Sequence, residues 1–378
     1  MKLAKYTLWI IFSAILAFYL LGCERSPIFY NLEGVYPIEK DLGLTNNIAV
    51  FEIVGTGTKF FAAAGTLYAR SSSNDNWQSV SSPVTGASCD TIEIFGGLLY
   101  AGFYKKDGTG LGLYRTNPAT IDWTADPITA AEVQNKQIGM IKEVGGTLYV
   151  TTAEWNDTDK EFEYFLYSTA DGDTYTPAVF DIAPTAPVTD IEDYVGAFTY
   201  WVIAGDDLYA DTAANLNNLT LQNPVPALPA LPVEPQTSSS FGGLLNSSVS
   251  PGLYLSAKDG RLWRYDGSDW TDTRTVTIDG TGVLFTRFID DTRNNVVLVG
   301  TEGAGYYKIA PGLPEPLENA GVQRLPSPTT KGLYKSAINS FYIDVAPDPD
   351  ILFACTYGSG LWREEYVDED SRWYWKQE

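Results

Sequence analysis

The chain has 378 residues, of which 25 are basic and 47 acidic, so its net charge at neutral pH is −22. A surface this acidic repels the phosphate backbone of DNA and RNA, which excludes nucleic acid as a partner. The chain has no histidine, which removes the commonest general base and metal ligand and any Ser-His-Asp or Cys-His catalytic group. With only three cysteines, neither a cysteine-based metal site nor a disulfide-stapled scaffold is expected, and we predict no cofactor.

The first predicted element, residues 1–22, is a secretory signal. Lys2 and Lys5 precede an uncharged, mostly apolar segment that is slightly short for a stable transmembrane span. The four residues Leu20-Leu21-Gly22-Cys23 resemble the lipobox of bacterial lipoproteins, a family in which the signal is cut before a diacylated cysteine. The resemblance implies lipid attachment at Cys23, and two or three acyl chains suffice for stable membrane anchoring. The alternatives are a transmembrane anchor and a signal that contains a cysteine by coincidence.

Residues 23–45 then form a lipidated tether to the folded body. Loss of the signal leaves 23 basic and 47 acidic residues, so anionic headgroups repel the body and the lipid must anchor it. Glu24 stands where enterobacterial lipoproteins kept in the inner membrane usually have aspartate. We therefore expect a location in the cell envelope, at the outer rather than the inner membrane, facing the periplasm or the cell surface.

Residues 46–378 repeat a pattern of short β-branched and aromatic runs separated by turn residues. An apolar run such as Leu98–Gly102 is followed by a second run such as Gly112–Tyr114, and then by a polar turn that ends in tryptophan or tyrosine. The second runs begin at Leu67, Leu113, Leu166, Leu208, Leu262, Tyr306 and Leu361. A period near 50 residues with three or four short strands is the sequence signature of a β-propeller.

We therefore predict an all-β protein, a single propeller of seven four-stranded antiparallel blades. Blades four and six lack the turn aromatic, so six or eight blades remain as alternatives. The innermost strand comes first in each blade, the turn aromatic starts the outermost strand, and the aromatics fill the spaces between blades. The predicted blades cover residues 46–82, 88–128, 137–180, 188–222, 240–278, 281–326 and 336–376. Cys89 and Cys355 fall in blades that are not adjacent in the ring, so no disulfide is predicted.

One turn carries a family resemblance. Residues Ser168–Tyr175 resemble the Asp-box, the turn between the third and fourth strands of sialidase-type propellers, although Asp171 is displaced by one position. The turns at 74–77 and 266–270 keep only the acidic or amide residue and the tryptophan. In that family the Asp-box is structural and lies away from the active site. The resemblance therefore implies a fold and no activity.

The innermost strands repeatedly place a charged residue between apolar ones. These residues are Glu52, Glu93, Lys142, Glu192, Arg287 and Asp344. Because the innermost strand lies beside the central channel, a mostly acidic ring there could bind a cation or a basic peptide. The alternative is that these groups are hydrated by channel water or paired with one another, for example Arg287 with a neighbouring acid.

Together these features favour a membrane-anchored, extracytoplasmic lipoprotein that acts as a monomeric, non-catalytic binding or scaffold propeller for a protein or glycan. One alternative is a carbohydrate-active hydrolase of sialidase-like architecture. Paired carboxylates would be its only catalytic machinery, and no arginine cluster for an acidic sugar is apparent. The other is an envelope-assembly scaffold, similar in architecture to the propeller lipoprotein of the outer-membrane β-barrel assembly machine.

Overall fold

The structure is a computed structural model. It describes residues 43–44, 48–71, 75–194, 196–212, 216–222, 241–257, 261–275, 277–278, 281–282, 285–303, 305–309, 333, 336–345, 350–367 and 372–378. The predicted signal and the lipid-attachment residue Cys23 lie outside these ranges. Within them, no helix is long and apolar enough to cross a membrane.

The described strands form seven successive sheets and one short hairpin. Blade one contains β1 (Glu52–Gly55), β2 (Phe60–Ala63), β3 (Leu67–Arg70) and β4 (Gln78–Ser79). Blade two contains β5 (Ser88–Phe95), β6 (Leu98–Tyr104) and β7 (Gly110–Thr116). Blade three contains β8 (Gln137–Val144), β9 (Thr147–Asn156), β10 (Glu161–Thr169) and β11 (Thr176–Pro177). Blade four contains β12 (Val188–Asp193), β13 (Tyr200–Ala204), β14 (Asp207–Asp211) and β15 (Thr220–Gln222).

The remaining blades continue the same order. Blade five contains β16 (Phe241–Ser247), β17 (Gly252–Ala257), β18 (Arg261–Tyr265) and β19 (Trp270–Thr275), and a hairpin of β20 (Thr277–Ile278) and β21 (Thr281–Gly282) follows it. Blade six contains β22 (Phe285–Asp291), β23 (Val296–Thr301) and β24 (Tyr306–Ile309). Blade seven contains β25 (Ala337–Asp344), β26 (Ile351–Tyr357), β27 (Leu361–Val367) and β28 (Arg372–Gln377). Consecutive strands of each sheet pair antiparallel, which confirms the predicted seven-bladed all-β fold.

Hydrophobic side chains join each blade to the next. A separate buried cluster fills each of the seven interfaces, including the one between blades seven and one. Between blades four and five, the rings of Trp201 and Tyr265 meet edge to face with their centroids 5.0 Å apart. Burying one such side chain contributes about 1.5–3 kcal/mol. The predicted role of the aromatics as filling between blades is therefore confirmed.

The ring closes between blades seven and one through both backbone and side-chain contacts. The backbone N–H of Leu361 donates to the carbonyl oxygen of Leu44 at 2.9 Å, and that of Val50 donates to Thr356 at the same distance. The buried carboxylate of Glu378 in turn contacts the guanidinium groups of Arg70 and Arg363. These contacts tie the two blades together without a disulfide, and both Cys89 and Cys355 are buried free thiols, as predicted.

Blade two departs from the prediction that its turn aromatic starts a fourth strand. Trp123 instead packs edge to face on Phe103, with the ring centroids 5.1 Å apart. The outer edge of β7 is approached by the chain that leads into blade three, since the N–H of Leu113 donates to the carbonyl of Val133 at 3.0 Å. Gly112 permits this approach because its φ is +100° and a Cβ there would lie 2.5 Å from that carbonyl oxygen.

The turn that resembles an Asp-box lies between β10 and β11, the third and fourth strands of blade three. One carboxylate oxygen of Asp171 accepts hydrogen bonds of 2.8 Å from the backbone N–H groups of Asp173 and Thr174. These donors lower the pKa of Asp171 to about 2. The carboxylate thus fixes the turn in the position that the resemblance implies.

Candidate binding site in the central channel

The innermost strands of all seven blades enclose a cavity of about 530 Å³. The pairing register sets the depth of each side chain that faces it, because residues two apart on a strand share one side. Glu93, Lys142 and Glu192 occupy equivalent positions, since each is paired with an aromatic residue of its second strand. Residues two positions earlier form a second level, which includes Glu52 and Asp190.

Four of the six charged side chains that line the channel form ion pairs with one another. The Nζ atom of Lys142 lies 2.7 Å from Asp190 Oδ1 and 2.6 Å from Glu192 Oε1. Arg287 approaches the same aspartate from blade six, with Nη1 2.6 Å from Asp190 Oδ2. The backbone N–H of Leu244 also donates to Asp190 Oδ2 at 2.8 Å. Two cations and two carboxylates therefore form one network with no net charge.

Opposite charges in this network favour the ionised forms of Lys142 and Asp190, whereas burial raises the pKa of Glu192. Burial alone would lower the pKa of Lys142, but Asp190 and Glu192 outweigh it and hold that pKa above its usual value. Burial would likewise raise the pKa of Asp190, but Arg287 and Lys142 hold it below its usual value. Asp190 is therefore an ionised centre on which both cations converge.

Arg287 reaches the aspartate across blade five because that blade carries no side chain in the way. Gly243 lies at the corresponding position, and a Cβ there would be 3.2 Å from Asp190 Oδ2 and 3.4 Å from Arg287 Cδ. The other channel-facing residue of this blade is the apolar Leu245. Blade five thus provides an uncharged wall behind the network.

Glu52 and Glu93 are the two remaining charged side chains of the channel. Glu52 Oε2 accepts a hydrogen bond of 2.7 Å from the N–H of Ile92, and Glu93 Oε1 accepts one of 2.8 Å from Ile94. In the described part of the chain, neither carboxylate lies within ion-pair distance of a lysine or arginine. Burial raises the pKa of each from 4.5 to about 7, although the more distant charges of Arg287 on Glu52 and of Lys142 on Glu93 offset part of that effect.

Side-chain hydrogen bonds from blade to blade hold the channel wall in place. They cross all seven interfaces, in the pairs Glu52–Ile92, Thr91–Ile141, Lys142–Asp190, Asp190–Leu244, Ser256–Thr286, Thr286–Ile338 and Ser340–Phe51. Each channel side chain that takes part in them is therefore positioned by a neighbouring blade as well as by its own strand. Such support is what a preorganised binding site requires.

The structure brings together five of the six charged residues that the sequence singled out, namely Glu52, Glu93, Lys142, Glu192 and Arg287. Asp344 does not join them, because it lies at the far end of β25, is buried, and does not line the cavity. Asp190 was missed by the sequence analysis. Its spacing of two residues from Glu192 was the available signal, since the same spacing puts both on one side of β12.

Among the described residues, no group of three or more carboxylates and cysteines is arranged to hold a metal ion. The candidate chemistry of the channel is therefore recognition of positive charge by Glu52 and Glu93, beside a fixed and neutral charge network. The size of the cavity suits a side chain or another small cationic group rather than a whole folded domain.

No family model matches the chain, and no curated protein matches it. Solved structures do match. YCF48 from Cyanidioschyzon merolae is 10% identical with a TM-score of 0.53, and the match covers 85% of this chain and 97% of that one. The WD40 β-propeller domain of Doa1 is 12% identical with a TM-score of 0.53, over 87% of this chain and 99% of that one.

A third match, to Saccharomyces cerevisiae Sqt1, is 12% identical with a TM-score of 0.53, and covers 84% of this chain and 96% of that one. The fold is that of a β-propeller. At these identities the likeness concerns the fold alone.

Proposed function

We propose that this chain is a lipid-anchored, extracytoplasmic binding propeller of the bacterial envelope, and that it receives a cationic group of a protein ligand between Glu52 and Glu93. Binding without catalysis is the role that the channel favours. Lys142, Asp190, Glu192 and Arg287 position the site and keep the opposite wall neutral.

The observation that carries this proposal is the pair of carboxylates left without a cation. Burial raises the pKa of Glu52 and of Glu93 to about 7, so keeping either of them ionised at neutral pH reduces the stability of the fold. Groups that reduce stability and face a solvent-filled cavity are concentrated at functional sites. A ligand cation would supply the missing partner and stabilise both ionised carboxylates.

Catalysis is not favoured by the same geometry. Hydrolysis of a glycoside needs one carboxyl held protonated and a second one ionised and free to act. Glu52 and Glu93 are shifted in the same direction, and the ionised Asp190 is already engaged by Lys142, Arg287 and a backbone N–H. In the described part of the channel, the two roles are therefore not divided between two available carboxyls.

The proposed location rests on the lipobox resemblance at residues 20–23 and on the basic and apolar segment before it. Its test is metabolic labelling of cells with an alkyne fatty acid, comparing the wild type with Cys23→Ala. We expect a label on the wild type that disappears in the variant. A label that persists, or a wild type with none, would contradict lipid anchoring at Cys23.

The proposed ligand site is tested by affinity capture from envelope fractions with quantitative mass spectrometry. The double variant E52Q/E93Q removes both channel carboxylates, and D75N/E132Q removes the same charge from two exposed positions as a matched control. We expect one or more envelope proteins to be lost with the channel variant and kept with the control. Equal loss with both variants would show a non-specific effect of net charge and contradict the channel site.

A further inference from the structure

A second candidate surface lies on blade three, where β9 and β10 extend beyond the rest of their sheet. They are the longest of the described strands, with ten and nine residues. The inner strand β8 begins at Gln137, which pairs with Ala153, so residues 154–156 of β9 have no partner on that side. The hairpin end therefore projects from the blade and contributes little to its core.

The projecting hairpin exposes a continuous group of aromatic rings. Trp155 is 50% exposed and Phe162 is 45% exposed, although large apolar side chains are normally buried. Their rings meet edge to face with centroids 5.2 Å apart, and Phe162 stacks on Tyr164 at 6.4 Å. Exposed rings held against one another in this way are typical of a contact surface.

A groove runs from these rings to the start of blade four. It has a volume of about 340 Å³ and is lined by Phe162 and Tyr164 on one side and by Pro187 and Val188 on the other. Backbone and side chains of β8 and β9 form its floor. Aromatic rings beside an open groove of this size suit an extended chain segment with one or two inserted side chains.

Acidic residues lie on both faces of the hairpin. Asp157 is beside the rings, since its Oδ1 accepts a hydrogen bond of 3.1 Å from Trp155 Nε1, whereas Glu161 and Glu163 lie on the opposite face of β10 from Phe162. The hairpin carries five acidic residues between 154 and 163, whereas the nearby cations are Lys136, which pairs with Glu154 at 2.5 Å, and Lys160. In the part of the chain that the structure describes, Glu161 and Glu163 have no basic partner. Glu163 also lies directly opposite Glu154 in the register, a like-charge pair that destabilises a hairpin.

We propose that this hairpin is a docking surface for a basic segment of a protein partner. Arginine or lysine side chains of the partner would stack on Trp155 and Phe162 and form ion pairs with Asp157 beside these rings, while Glu161 and Glu163 add to the attraction from the opposite face. Guanidinium groups suit both contacts, because they stack on aromatic faces and bind carboxylates with two parallel hydrogen bonds. The surface is separate from the central channel and does not depend on the function proposed there.

The test measures binding of a fluorescent peptide that alternates arginine and serine, by fluorescence polarisation with the purified folded chain. Trp155→Ala with Phe162→Ala should weaken binding by roughly tenfold, since two cation–π contacts are lost. Asp157→Asn should weaken it several-fold, and Glu161→Gln with Glu163→Gln should mainly reduce its dependence on salt. Tyr357→Ala, which removes an exposed ring of blade seven, is the matched control and should leave binding unchanged.

Three further measurements make the result decisive. The same peptide with citrulline in place of arginine should bind far more weakly, and E52Q/E93Q should still bind the arginine peptide, which separates this surface from the channel. Equal binding by W155A/F162A and the wild type would overturn the proposal. So would glycan-array binding that needs Trp155 and Phe162 but not Asp157, because the ligand would then be a carbohydrate.

Discussion

At the scale of single residues, the charged side chains of the channel fall into two groups. Glu52 and Glu93 face a cavity without a cation partner, whereas Lys142 and Arg287 converge on Asp190. When ionised at neutral pH, Glu52 and Glu93 reduce the stability of the fold. The charges of Lys142 and Arg287 are compensated by Asp190 and Glu192. These two situations lead to opposite expectations for substitution.

The channel glutamates should make the fold less stable as the pH rises. Their pKa is raised from 4.5 to about 7 in the folded chain, so the folded state holds these protons more tightly than the unfolded state between those values. Stability is therefore lost as the pH increases through this window. E52Q/E93Q should match the wild type near pH 4, below the unfolded-state pKa, and exceed it near pH 8 by about 1–3 kcal/mol, allowing for partial solvation.

Urea unfolding at both pH values measures this difference. D75N/E132Q, which removes exposed charge, should follow the wild type at both. Parallel pH profiles for the wild type and E52Q/E93Q would show that the channel carboxyls are not perturbed.

A second residue-scale prediction concerns Glu378, which is buried between Arg70 and Arg363 and accepts a hydrogen bond of 3.1 Å from Trp77 Nε1. E378Q leaves two buried guanidinium groups without their carboxylate. Removing one partner of such a group costs about 3–5 kcal/mol. The urea midpoint should fall accordingly, and an unchanged midpoint would mean that the blades close without this contact.

At the scale of elements, the sequence predicted the strands better than the connections between them. The runs that contain Tyr100, Tyr149 and Trp201 marked second strands because their aromatic and β-branched residues fit a buried sheet. The outer strand of blade two was predicted wrongly, because Trp123 is buried as filling instead. Val133 reaches the edge of β7 only through the tertiary fold, so no local sequence pattern could predict this contact.

The candidate site was predictable to a similar extent. A charge flanked by apolar residues on an innermost strand indicated the channel, and five of the six residues lie there. Which charges pair could not be predicted, because Arg287 reaches Asp190 across blade five only where Gly243 leaves room. Asp344 was included because its strand is innermost, but it is the last residue of β25 and does not line the cavity, which Tyr342 of the same strand does.

The unusual edge of blade two gives an element-scale prediction. G112A should destabilise the chain by about 1–3 kcal/mol, since its φ is +100° and its Cβ would lie 2.5 Å from the carbonyl oxygen of Val133. G108A is the control, because its φ of +87° imposes backbone strain but no atom lies within 4 Å of the added Cβ. Thermal unfolding should rank G112A clearly below G108A, and equal values would contradict the close approach.

At the scale of the whole molecule, the ring, the charge and the proposed tether act together. Seven separate hydrophobic clusters and a hydrogen bond across every interface hold the blades in fixed positions around the channel. The net charge of −22 repels anionic headgroups and attracts basic partners. A lipid at Cys23 would then hold at the membrane a body whose surface favours cationic ligands.

The most direct test of the channel as the ligand site is photo-crosslinking in intact cells from a photoreactive residue at Leu245, on the uncharged wall of blade five. We predict a crosslinked partner peptide that carries arginine or lysine, lost when E52Q/E93Q is added and kept when D75N/E132Q is added. The same crosslink in the presence of E52Q/E93Q, or crosslinked peptides without a basic residue, would contradict recognition of a cation by Glu52 and Glu93.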